Sequence, residues 1–206
     1  MKSEKETREN LLKCAKEEFL EKGYMQASLR SICKKAGVTT GALYFFFKDK
    51  EDLFGNLVQE PLGKLYEVTN QHYTEELRQT PETLSGVAHI NIEPDIETAK
   101  QIIHFLYQYQ DEFRLVLEKS QGSRFDKCLD QIIERTEKHY RILADKITDS
   151  IGMDRIEDYM IHWLSHMQVD VFVHMLTHEA SEEEALKHIE PIVKYIIIGW
   201  YGIFQW

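Results

Sequence analysis

Four prolines and ten glycines in 206 residues are too few for a collagen-like or low-complexity chain, and 43% hydrophobic residues exclude a disordered one. No stretch reaches 18 consecutive apolar residues. The most apolar segment, residues 196–204, is half that length, so no membrane-spanning helix is expected. The opening Met1-Lys2-Ser3-Glu4-Lys5 leads into polar sequence rather than an apolar signal core, which predicts a cytosolic location. Cys14, Cys33 and Cys128 are far apart and odd in number, which argues against a disulfide framework or a CxxC metal or redox site and makes them core thiols. The chain also lacks a Gly-rich phosphate loop, a GxSxG elbow and an argued pair of catalytic carboxylates. No enzyme activity and no cofactor are expected.

What is present is an uneven charge. Residues 1–55 hold 11 Lys/Arg against 9 Asp/Glu, a net of +2, while residues 56–206 hold 14 against 26, a net of −12; together they make the chain's −10. A polyanion is steered to the first quarter and repelled by the rest.

Helical periodicity runs through the chain, with no run that reads as a strand and no internal repeat. Leu11, Leu12, Ala15, Phe19 and Leu20 place a first helix over residues 4–22, stopped by Gly23. Ser28 caps a short second helix, residues 29–36, and Gly37 supplies positive φ at a tight turn. Thr39 or Thr40 then caps a third short helix through Ala42, Leu43 and Phe46 or Phe47. Two helices of about two turns joined by a Gly-containing turn form a helix-turn-helix, whose second member fits a major groove about 12 Å wide. A fourth helix follows Asp49, with Pro61 bending it or accommodated near a joint. Further helices are expected at residues 80–88, on both sides of a break at residues 110–111, over about 124–148 and 154–178, and finally after Ser181. This is an all-α chain: a three-helix DNA-binding unit at residues 1–50 and a larger helical domain at residues 51–206. The last two helices are apolar on a wide arc and end in the aromatic tail of residues 199–206, which predicts a homodimer interface, although the tail also fits packing on its own domain.

Residues 23–54 resemble the DNA-binding segment of the TetR family of bacterial transcriptional regulators. The match covers Gly23-Tyr24 after helix one, Ala36-Gly37-Val38 at the turn, Gly41-Ala42-Leu43-Tyr44 in the recognition helix and Phe47-Lys48-Asp49-Lys50-Glu51-Asp52-Leu53 leading into helix four. The resemblance implies a dimer that binds palindromic operator DNA, usually as a repressor, and releases it when a small effector binds the C-terminal domain. Carried over, it places Thr39, Thr40 and Gly41 at the start of the recognition helix against phosphates and base edges. Tyr44 and Lys48 fall against the backbone, and Phe45 and Phe46 at positions that touch bases or sugars. Arg30 and Lys34, with Thr40, are the candidate polar contacts. Leu43 and Phe47 are core, and consecutive positions advance 100° around a helix, so at least one of Phe45 and Phe46 must face solvent.

Aromatic residues in the middle helices predict a pocket for an aromatic or lipophilic effector, with Phe105, Gln108, Tyr109, Phe113, Tyr140, Trp163, His166 and Met167 as candidate contacts, alongside Tyr107, Phe125, Gln168 and Phe172. His162, His166, His174 and His178 recur at spacings of four or eight, and His162-x-x-x-His166 has the geometry of two metal ligands. Four-residue steps drift 40° around the helix, so the four do not converge on one ion, and no metal is expected. The alternatives are a helical protein-interaction module without specific DNA binding and, less favoured, a His-based metal enzyme.

Overall fold

Ser3 opens the first helix by reciprocal capping: its hydroxyl accepts from the Glu6 N–H at 3.2 Å, and its own N–H donates to the Glu6 carboxylate at 2.8 Å. In the computed structural model, which describes residues 3–78 and 91–205, this helix is α1 (Glu4–Gln26). It is followed by α2 (Leu29–Ala36), α3 (Thr40–Phe46), α4 (Lys50–Arg78), α5 (Glu93–Gln108), α6 (Gln110–Glu118), α7 (Cys128–Ile151), α8 (Asp158–His178) and α9 (Glu182–Gly202), closed by a 3-10 turn, Ile203–Gln205. All regular structure among the described residues is helical, and the fold is all-α. None of these helices is long and apolar enough to cross a membrane. The helix expected at residues 80–88 lies outside the described residues.

The chain divides into two compact units, Met1–Lys64 with Tyr109–Leu129, and Leu65–Gln108 with Asp130–Trp206. The sequence expectation drew a boundary at residue 50, where α4 begins. In the structure the start of α4 belongs to the first unit, because Leu53, Phe54 and Val58 are fully buried there and the Phe54 ring meets Phe19 of α1 edge-on at 5.0 Å. α6 joins the same unit, packing on α1 with Phe113, Leu115 and Val116 buried. Pro61 sits inside α4 without breaking it, three residues before the chain leaves the first unit. Cys14, Cys33 and Cys128 are all buried.

In the second unit one cluster joins Leu143, Ala144 and Ile147 of α7 to Ile161 of α8 and to Trp200 and Tyr201 of α9. Another joins Ile96, Ala99 and Ile103 of α5 to Met175 of α8 and to Ala185, Ile189 and Val193 of α9. The last helix therefore carries side chains of both clusters. Some boundaries differ from the periodicity. α7 starts at Cys128 rather than near 124 because turn hydrogen bonds from Ser123 to Ser120, Asp126 to Ser123 and Cys128 to Phe125 take up the intervening backbone. α8 starts at Asp158 rather than 154, with the Ile156 carbonyl accepting from Arg141 Nη1 at 2.7 Å instead of from a helical N–H. The break between α5 and α6 falls at Tyr109.

Gly23 is the sharpest local constraint. Its φ of 73° and ψ of 163° interrupt α1 and turn the next N–H, that of Tyr24, onto the Lys119 carbonyl at 2.7 Å. Only glycine adopts that backbone without strain. Gly23→Ala is expected to cost roughly 1–3 kcal/mol in urea unfolding. Gly63→Ala, inside a regular stretch of α4 with open space around its added Cβ, is expected to gain about 0.5–1 kcal/mol.

Candidate nucleic-acid interface

α2 is only eight residues long and α3 seven, so each depends on its ends and on what it buries. Ser28 accepts from the Ser31 N–H to start α2. Gly37 ends it at φ 70°, ψ 32°, and the following Val38 N–H bonds the Cys33 carbonyl at 3.0 Å. Asn10 of α1 donates to the Ala36 carbonyl at 2.8 Å, tying the end of α2 to the first helix. Thr39 then takes an extended backbone, and its hydroxyl accepts from the Ala42 N–H at 3.1 Å to cap α3. Ile32 and Leu43 are fully buried and Phe47 nearly so.

That burial decides what faces outward. Arg30, Lys34, Thr39, Thr40, Gly41, Tyr44, Phe45 and Lys48 are all exposed, and Phe46 is half-buried. Tyr44 is 57% exposed and Phe45 69%, two adjacent large aromatic side chains facing outward. The Phe45 ring stands edge-on to Phe46 at 5.0 Å, and Phe46 in turn lies 6.4 Å from the buried Phe47. Among the described residues, Arg30, Lys34 and Lys48 form no ion pair. The Lys48 backbone N–H donates to the Asp52 carboxylate at 2.9 Å, and the residue is exposed. The surface formed by α2, the turn and α3 therefore carries unspent positive charge, hydroxyls and exposed rings.

Neighbouring cations are spent on the fold. Glu18 of α1 is 0% exposed and accepts from Lys22 Nζ at 2.7 Å, Lys35 Nζ at 3.0 Å and the Ser31 hydroxyl at 2.9 Å. Burial by itself would raise its carboxyl; the Lys22 and Lys35 ammoniums and the Ser31 hydroxyl outweigh that and hold it at about 2. Lys34 and Lys35, adjacent in sequence, thus have different tasks. Lys50 Nζ donates to the carbonyls of Tyr24, Met25 and Ala27 at 2.7, 3.2 and 3.3 Å and lies 4.6 Å from the Tyr24 ring centre, holding α4 to the end of α1. The Tyr24 hydroxyl donates to Glu51 at 2.8 Å, and burial with that carboxylate pushes it up to about 12. These supports escaped the reading of the sequence. The signal for Glu18 was present: it lies seven residues after Leu11 and three after Ala15, on the buried stripe.

The residues expected to contact an effector are distributed between the units. Trp163, His166 and Met167 line a groove of about 690 Å³ in the second unit, with Asp170, Val171, His174, Met175 and Glu179, and His188 and Ile192 of α9. Phe105 and Gln108 stand on α5, half-buried and exposed. Tyr140 packs 4.7 Å from Trp200. Tyr109 and Phe113 belong to the first unit, where the Tyr109 hydroxyl accepts from Lys64 at 2.6 Å and Phe113 is buried. His162 pairs with Glu137 at 2.9 Å, and the rings of His174 and His178 stack at 4.1 Å. No group of three potential ligands among the described residues is placed to hold a metal ion.

Residues 11–57 match the model of the family described as bacterial regulatory proteins, tetR family. The chain is 49% identical over 53 residues to the HTH-type transcriptional repressor BepR of Brucella suis biovar 1, covering 26% of this chain and 25% of that protein. It is 36% identical over 67 residues to the fatty acid metabolism regulator protein of Bacillus subtilis, covering 32% and 34%. The match thus spans about a quarter to a third of the length of these relatives. A crystal structure of a transcriptional regulator from Aquifex aeolicus VF5 aligns over 92% of this chain and 99% of its own, with a TM-score of 0.59 and 20% identity, a likeness of fold.

The buried Glu18 makes a pH prediction. Its folded carboxyl, held at about 2, lies below the ordinary value of 4.5, so its stabilisation is complete above pH 4.5 and is lost as pH falls toward 2. Glu18→Gln is expected to destabilise the protein by roughly 1.5–3 kcal/mol at pH 7 and to flatten the acid limb of a stability-against-pH curve measured by urea melts. An unchanged acid limb would contradict this assignment.

Proposed function

We propose that this chain, whose residues 11–57 match the tetR family of bacterial regulatory proteins, is a homodimeric transcriptional regulator of that family that binds double-stranded operator DNA through α2 and α3 and leaves it when a small effector binds. The observation that carries the reading is the surface of α2 and α3, where Arg30, Lys34 and Lys48 are unpaired and Tyr44 is exposed beside them. Lysine and arginine neutralise phosphates, and the Tyr44 hydroxyl suits a phosphate oxygen. Thr39, Thr40 and Gly41 are small enough to let the backbone approach DNA closely. Repression is the direction that the name of the Brucella relative favours.

A second copy is the partner we assign to the last two helices. Tyr159 and Trp163 of α8 and Tyr195 and Ile198 of α9 are large apolar side chains left 51–74% exposed. Such a face on paired helices is suited to a two-fold four-helix interface. The effector is a small aromatic or lipophilic molecule taken up by the helices of the second unit, with Phe105, Gln108, Tyr140, Trp163, His166 and Met167 as the proposed contacts; Tyr109 and Phe113, which belong to the first unit, are left out of that set. α4 and α7 each supply residues to both units, so a shift of either helix on effector binding is transmitted along continuous backbone.

The test is a gel-shift titration on the DNA flanking the protein's own gene, across a salt series. Wild type is expected to form a specific complex that weakens steeply with salt, and the combined Tyr44→Phe and Lys48→Ala change to weaken it roughly tenfold and to lower the salt slope. Equal affinity of the two proteins for the fragment would count against this interface. In the same samples, Tyr195→Glu with Ile198→Glu is expected to convert the dimer to a monomer in sedimentation; a persistent dimer would move the interface elsewhere.

A further inference from the structure

Of the side chains that read base edges in a major groove, arginine and lysine select guanine, asparagine and glutamine select adenine, and the carboxylates select cytosine. α3, Thr40-Gly41-Ala42-Leu43-Tyr44-Phe45-Phe46, has none of them. Its hydroxyls at Thr40 and Tyr44 bond either donors or acceptors and discriminate little. What it does present is an apolar ring, Phe45, 69% exposed. Burial of Leu43 and Phe47, two residues to either side, turns Phe45 to the opposite face of the helix. Phe46, edge-on at 5.0 Å, backs the ring. A supported apolar group on the outward face of a recognition helix has one complementary feature in the major groove, the C5-methyl of thymine.

From this geometry we infer that Phe45 is the specificity-determining residue of the DNA interface and that it reads the C5-methyl of a thymine in each half-site. The inference rests on the regulator reading above and goes further by naming the base and the atom read. Arg30 and Lys34 stand on α2, where their charge serves the phosphates and sets orientation rather than sequence.

The experiment selects duplexes from a random-sequence pool with the full-length wild-type protein, then remakes the selected duplexes with deoxyuridine in place of every thymidine. That change deletes the methyl and keeps each base pair. Wild type is expected to lose about tenfold in affinity, the effect of roughly one apolar methyl contact per half-site of a dimer. Phe45→Ala, which alters an exposed side chain and should melt like wild type, is expected to bind the two duplexes within about twofold of each other. Equal wild-type affinity for both duplexes overturns the inference. So does a Phe45→Ala protein that keeps the wild-type ratio, which would locate the sensitivity in the shape of the DNA. Failure of any sequence to be enriched by a folded dimer overturns the regulator reading and the inference with it.

Discussion

A seven-residue helix does not hold together in water, so α3 exists only because Leu43 and Phe47 are buried in the first unit. Those two residues are four apart, about 40° around the axis, and anchoring them fixes the rotation of the helix. Everything proposed for the interface follows from that rotation: Phe45 and Tyr44 turn outward, and Thr39 and Thr40 lead the helix. The same unit buries Phe19, Phe54 and Ile32 fully, and the Arg8 guanidinium lies 5.4 Å from the Phe47 ring. α6 extends the same support, so the unit that presents α3 draws on residues more than fifty positions away in sequence.

Charge is sorted by the same packing. Lys22 and Lys35 neutralise the buried Glu18, Lys50 closes the carbonyl end of α1, and Lys16 pairs with Asp111 and Glu112 of α6 at 3.4 and 3.0 Å. What remains on the α2–α3 surface is a small set of unpaired cations in a chain of net charge −10. The acidic remainder, net −12 over residues 56–206, disfavours a polyanion elsewhere. A small basic patch in an acidic protein would confine the proposed DNA contact to one face and make it salt-sensitive.

The helix-turn-helix was legible because its signals are local. Ser28, Gly37 and Thr39 act within four residues of their own positions, as caps and a left-handed turn, and helical spacing put Leu43 and Phe47 in the core and at least one of Phe45 and Phe46 outside; the structure adds that Phe45 is the more exposed ring. Gly23 was recognised as a stop, and the structure adds that it turns the chain toward Lys119. Long-range partnerships were not legible. Nothing in residues 109–129 announces that Phe113 and Val116 serve the first unit, and the lysines at 34 and 35 look alike until the distance to Glu18 separates them. Helix starts at 128 and 158 were missed because turn hydrogen bonds before Cys128, and the Arg141 guanidinium on the Ile156 carbonyl before Asp158, displace helical bonds while leaving the apolar period intact.

The account comes to rest on two copies of α3 entering DNA from one face. Hydroxyl-radical footprinting of the bound operator tests this most directly. The account predicts two protected patches, related by a dyad and separated by a whole number of helical turns of about 10–10.5 base pairs, lost together when the dimer is broken. A single asymmetric patch, or protection that survives in the monomer, would contradict it.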